Sequence, residues 1–147
     1  MTKSKKDILE EEDGAWHELC TRFNKLSDEE YVKAGVNGEW TAKDMLAHIA
    51  VWHASATDRM EQHRMNGVLP PLGAAVDEIN AEQYERCKDL TLKEAKAMSG
   101  ASRHRFREEM AMLPDDPDER VAMLIYGDGA EHYQEHIEQL DAFFGDA

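Results

Sequence analysis

Apolar side chains recur every three or four residues along most of this 147-residue chain, and no stretch alternates apolar and polar residues long enough to make a strand. That period is the turn of an α-helix, not the two-residue pleat of a sheet. It restricts the chain to an all-α fold. Glycine, asparagine and proline interrupt the pattern clearly in three places, over residues 35–38, 66–71 and 114–117. The first helix is predicted over residues 5–26, with Ile8, Leu9, Trp16, Leu19 and Phe23 on its inner face. The second starts at Thr41, whose hydroxyl can cap the free amides while Asp44 adds negative charge to the first turn. Its stripe is Met45, Ile49, Trp52, Ala56 and Met60. A shorter helix covers residues 74–87 with Val76, Ile79 and Tyr84. Thr91-Leu92-Lys93-Glu94 is a capping box that opens the next. That helix carries Leu92, Ala95, Met98, Phe106, Met110 and Leu113 and stops before Pro114; Gly100 costs it ~1 kcal/mol relative to alanine. The last is predicted to begin near Asp128 as its cap, with the stripe Tyr133, Ile137, Leu140 and Phe144.

Four long amphipathic helices favour an antiparallel four-helix bundle, with residues 67–90 as a crossover carrying the short extra helix. No repeat or linker divides the chain, so residues 1–147 are expected to form a single domain. The length suffices for a real core. Trp16, Phe23, Met60, Phe106 and Phe143 look too many to face one bundle axis, which predicts a homodimer.

Charge narrows the function. Asp and Glu number 31 against 17 Lys and Arg, a formal net charge of −14. Such a surface repels phosphate backbones and anionic lipid, so nucleic acid and membrane partners are not expected. Uncharged stretches are too short to span a bilayer, and residues 1–13 lack the apolar centre of a signal peptide. Cys20 and Cys87 stand in no metal-type spacing. A cytoplasmic protein with reduced thiols is the expectation.

The seven histidines differ in meaning. His132 and His136, spaced i and i+4, place two imidazoles on one helix face, a spacing that can grip one ion but is weak alone. His48, between Ala47 and Ala50 on the flank of the second helix, is either hydrogen-bonded in the core or a third ligand. His53 lies five residues on, points away from His48, and reads as an outward polar residue. His17, His63 and His104 read as surface residues. Asp128 reads first as a helix cap and second as a carboxylate orienting an imidazole, Gln139 first as a surface residue and second as a ligand contact, and Trp40 and Trp52 first as core or interface and second as pocket lining.

The stretch Glu39-Trp40-Thr41-Ala42-Lys43-Asp44-Met45-Leu46-Ala47-His48-Ile49-Ala50-Val51-Trp52 resembles the second-helix signature of the DinB-like superfamily, and His132-Tyr133-Gln134-Glu135-His136 its last-helix signature. Residues 77–84 and 90–95 are similar to the ClbS/DfsB branch. Relatives often carry glutamate where this chain has His53. The resemblance implies a four-helix bundle, often dimeric. It also implies a divalent ion, zinc or nickel, held by His48, His132 and His136. Three imidazoles leave such an ion one open position for water or a thiolate. The function expected is therefore a metal-dependent enzyme acting on a small molecule by hydrolysis or by transfer with a thiol cosubstrate. The alternative is a non-catalytic stress or self-protection protein that binds a ligand or metal in the same pocket.

Overall fold

A computed structural model describes residues 3–145. Among the described residues seven helices follow in order: α1 (Lys5–Phe23), α2 (Asp28–Tyr31), α3 (Ala42–Asn66), α4 (Val76–Cys87), α5 (Leu92–Ala111), α6 (Glu119–Asp128) and α7 (Ala130–Phe144). No strand is present among the described residues, only an isolated bridge between Asn37 and Trp40. The single-domain expectation also covers residues 1, 2, 146 and 147, which lie outside the described residues.

The predicted caps form. Thr41 accepts from the Asp44 amide at 3.0 Å while the Asp44 carboxylate accepts from the Thr41 amide at 2.9 Å, a complete capping box. Thr91 and Glu94 do the same at α5. Gly67 closes α3 in the left-handed conformation (φ 80°), where a side chain would be strained.

Cross-helix bonds give the chain directions. Along α1 from Lys5 to Glu12, the partners on α5 run backwards from Ala111 to Arg103, so these helices are antiparallel. Glu12 meets Tyr133 and Arg22 meets Asp141, so α1 and α7 run together. Lys43 reaches the Leu90 carbonyl and Arg64 reaches Glu109, so α3 and α5 also run together. The bundle thus has two helices up and two down. The crossover over residues 67–91, with α4 inside it, is what lets α3 and α5 be parallel neighbours.

The last leg differs from the sequence expectation. It begins at Glu119, not near Asp128, and is broken at Gly129. Asp128 ends α6 instead of capping α7, whose N-cap is Gly129 with no side-chain cap bond. The break requires glycine: a Cβ there would stand 2.5 Å from the Ile125 carbonyl oxygen. α1 also ends three residues earlier than predicted, and the one-turn α2, capped by Ser27 and Glu30, was not anticipated.

Two apolar clusters fill the bundle. One gathers Leu19, Phe23, Tyr31, Met45, Ile49, Tyr133, Ile137 and Leu140, and the other Ile8, Ala56, Met60, Phe106, Met110, Val121 and Ile125. Burying each large side chain contributes roughly 1.5–3 kcal/mol. A polar layer joins the clusters. Glu12, 2% exposed, accepts from Arg103, Arg107 and the Tyr133 hydroxyl. His53 Nε2 bonds that hydroxyl, and its ring stacks on Phe106.

Phe23, Met60 and Phe106 are therefore intrachain core, and Trp16 packs on His53 and Tyr133. The crowding argument for a homodimer does not hold, because two stacked clusters have room for side chains that one axis would not.

Candidate metal centre

The three histidines singled out in the sequence meet between α3 and α7. His48 Nε2 stands 3.0 Å from His132 Nε2, and His136 Nε2 2.9 Å from the same atom. One ligand atom from each residue lies within 4.8 Å of the others. Capping at Thr41 starts α3 in the register that turns His48 inward. The break at Gly129 sets the direction of α7 and so of its two histidines. Around a tetrahedral ion at ~2.0–2.1 Å from each nitrogen, the nitrogens stand about 3.3 Å apart. The His48–His132 and His136–His132 separations are within a few tenths of an ångström of that value.

The rings are uncharged at neutral pH. Burial lowers the pKa of His48 to about 3, with the His136 charge as the next cause. It lowers that of His132 to about 2, helped by His136, His48 and His53, and it lowers that of His136 as well. His136 Nδ1 donates to Gln139 Oε1 at 2.7 Å, which fixes the tautomer and directs the Nε2 lone pair at the other rings. Gln83, buried on α4, approaches His48 closely enough to favour its protonated form, although neither Gln83 Oε1 nor His48 Nδ1 completes a hydrogen bond. With Nδ1 protonated on each ring, the three Nε2 lone pairs converge and repel one another, and a cation placed between them would relieve that repulsion. The residues fit a divalent ion.

The centre opens into a cavity of about 360 Å³. Trp40, tilted 59° to the His48 ring with centroids 4.9 Å apart, and Trp52 form its apolar walls. Trp52 Nε1 donates to Asn80 Oδ1 at 2.9 Å, which ties α3 to α4 at the cavity edge. Asp128 and Arg59 line the same space. Burial pushes the Asp128 carboxyl up to about 7, with the Arg59 charge pulling the other way, and Asp128 Oδ2 has no hydrogen-bond partner.

Several sequence expectations need correction here. His53 is not outward but 0% exposed, because the middle of α3 is covered on more than one side and offers no wide solvent face. Gln139 is not a plain surface residue; it holds His136. Trp40 and Trp52 line the cavity, the second of the two readings their sequence positions left open. His17 and His104 are exposed as expected, while His63 is half-buried near Asp118 at 3.6 Å. Arg59, Asn80 and Gln83 were not anticipated. Arg59 had a legible signal, since positions 48, 52, 55 and 59 follow one helical stripe. Asn80 and Gln83 had none, because nothing in α4 says which face meets α3.

Comparison with known proteins agrees with this architecture. Residues 13–140 match the sequence profile of the DinB superfamily. No curated protein matches the chain. Among solved structures, a Streptococcus pneumoniae protein superposes with a TM-score of 0.79 at 12% identity, over 98% of this chain and 92% of that one. DfsB, described as a sibling lethal factor precursor, superposes at 0.78 and 13% identity, over 98% and 96%. An uncharacterised protein of Escherichia coli UTI89 superposes at 0.78 and 13%, over 97% and 93%. At these identities the likeness is one of fold.

Proposed function

The chain belongs to the DinB superfamily, and from that premise we propose that it is a divalent-metal-dependent enzyme acting on a small molecule, by hydrolysis or by thiol-dependent transfer. One observation carries the reading: three uncharged imidazole Nε2 atoms converge beside a cavity of small-molecule size. His48, His132 and His136 would hold zinc or nickel, with Gln139 orienting the His136 ring. The ion, when bound, supplies a Lewis acid that favours the deprotonated form of a water or thiol and polarises a substrate group. Trp40 and Trp52 pack the apolar part of the substrate and exclude water from it. Asp128, with an unpartnered carboxyl oxygen in the same cavity, takes up or gives a proton at Oδ2.

The test uses protein purified without a histidine tag, stripped with a chelator and titrated with zinc or nickel. One ion per chain is expected, and none at tight affinity in His48→Ala. A screen with small thiols and electrophiles follows. Metal with turnover supports the enzyme, metal and ligand without turnover the non-catalytic binder, and no stoichiometric metal refutes both.

The partners proposed are a small-molecule substrate or thiol cosubstrate and a second copy of the chain. No helix among the described residues is long and apolar enough to cross a membrane. A net charge of −14 argues against nucleic acid. Cys20 and Cys87, both unpaired, suit the cytoplasm. Pairing of two copies would have to cover exposed apolar side chains such as Met65, Val68, Met112 and Met123. Sedimentation at raised ionic strength, where charge repulsion is screened, tests it: a clean monomer at tens of micromolar refutes the dimer.

A further inference from the structure

We propose that Arg59 is the anion-recognition residue of the histidine cavity, and that the molecule bound there carries a carboxylate or a comparably small anionic group. The proposal rests on reading the cavity as the substrate site. Arg59 follows His48 and Trp52 along the cavity face of α3. Its Nε donates to the Pro70 carbonyl at 2.8 Å, which ties down the stem and plane of the guanidinium. Among the described residues the Nη nitrogens form no hydrogen bond or ion pair. A guanidinium anchored at Nε with a free terminal fork is prepared for a planar, bidentate acceptor, which is what a carboxylate offers.

The surroundings leave few other uses for that charge. Arg59 is the only lysine or arginine among the described residues lining the cavity. Asp128 and Glu135 line it too, and Asp128 lies within electrostatic reach, yet among the described residues neither carboxylate makes an ion pair with Arg59. The guanidinium is therefore not there to neutralise a fixed carboxylate. Asn80 Oδ1 accepts from Trp52 Nε1, which leaves Nδ2 as a donor at the cavity wall that Arg59 also lines. The formal charge of −14 disfavours anions at long range, so the preference must come from this local contact, which salt screens less than the outer field.

The probes are 3-mercaptopropionate and its uncharged counterpart 3-mercapto-1-propanol, titrated into metal-free and zinc-loaded protein. Tryptophan fluorescence reads binding, since Trp40 and Trp52 wall the cavity. The wild type is expected to bind the acid at least tenfold more tightly than the alcohol, about 1.4 kcal/mol. In Arg59→Ala the ratio should fall to about one while the alcohol binds as before. Arg59→Gln, which keeps a donor for the Pro70 carbonyl, should do the same. Equal affinities in the wild type, or a tenfold ratio surviving either variant, overturns the proposal. Loss of both probes in both variants also overturns it, because Arg59 would then hold the Pro70 segment and not the anion. The metal reading fails separately: zinc would then neither bind nor tighten either thiol, while the acid-to-alcohol ratio persisted in the metal-free protein.

Discussion

Glu12 is the most exacting position in the polar layer. Its carboxylate is 2% exposed and accepts from Arg103 Nη2 at 2.6 Å, Arg103 Nε at 3.2 Å, Arg107 Nη1 at 3.1 Å and the Tyr133 hydroxyl at 2.7 Å. Replacing it with alanine leaves the Arg103 guanidinium, 17% exposed, without its main counter-charge, and the Tyr133 hydroxyl without its acceptor. Removing one partner of a buried ion pair costs about 3–5 kcal/mol. Arg103 keeps a bond to Asp13 at 3.0 Å, and Arg107 is nearer solvent, so the lower half of that range is expected. For a domain of this length the loss lowers Tm by roughly 10–13 °C. Urea denaturation followed by circular dichroism, with chelator present so that no metal contributes, measures it. Glu12→Gln keeps an acceptor and should lose about half as much. A Glu12→Ala loss below ~1 kcal/mol would refute the argument, because it would mean that the layer is hydrated and the arginines are satisfied by water.

Trp52→Ala should cost ~3–5 kcal/mol, since the ring is 7% exposed and its Nε1 holds Asn80; unfolding midpoints unchanged by the substitution would count against that packing. His132→Ala should abolish tight zinc or nickel binding while costing the metal-free protein under ~1 kcal/mol, because His132 Nδ1 has no partner to lose; elemental analysis and urea denaturation read the two effects, and equal damage to both would make His132 a core residue. Acid should unfold the metal-free protein. Burial holds His53 and His48 at about 3 and His132 at about 2, against an ordinary 6.5 in the unfolded chain. The unfolded chain therefore binds more protons between pH 6.5 and 3, and each histidine removes up to ~1.4 kcal/mol per pH unit as the pH falls through that window. Asp128, raised to about 7, works the other way between pH 7 and 4 but is one group against three. Stability constant from pH 6.5 to 4.5 would contradict the burial of these rings.

What the sequence determined by itself was whatever depends on neighbours along the helix. The period of apolar residues, the caps at Thr41 and Thr91, the short helix in the crossover, and the i, i+4 pair His132 and His136 are local, and each follows from side-chain geometry within a turn or two. His48 became a candidate only through its place on the flank of a stripe and through a family resemblance. What the tertiary structure decided depends on which faces meet. That α3 is covered on more than one side turned His53 from an expected surface residue into the centre of a buried polar layer. That α6 runs to Gly129 moved Asp128 from a cap to the cavity wall, since a helix cap is a local motif only if the helix begins there. Arg59, Asn80, Gln83 and Gln139 owe their roles to neighbours 11 to 35 positions away or to the geometry of a ring one turn off. A one-dimensional pattern carries the orientation of a side chain about its own helix axis, but the partner across the bundle is set by packing.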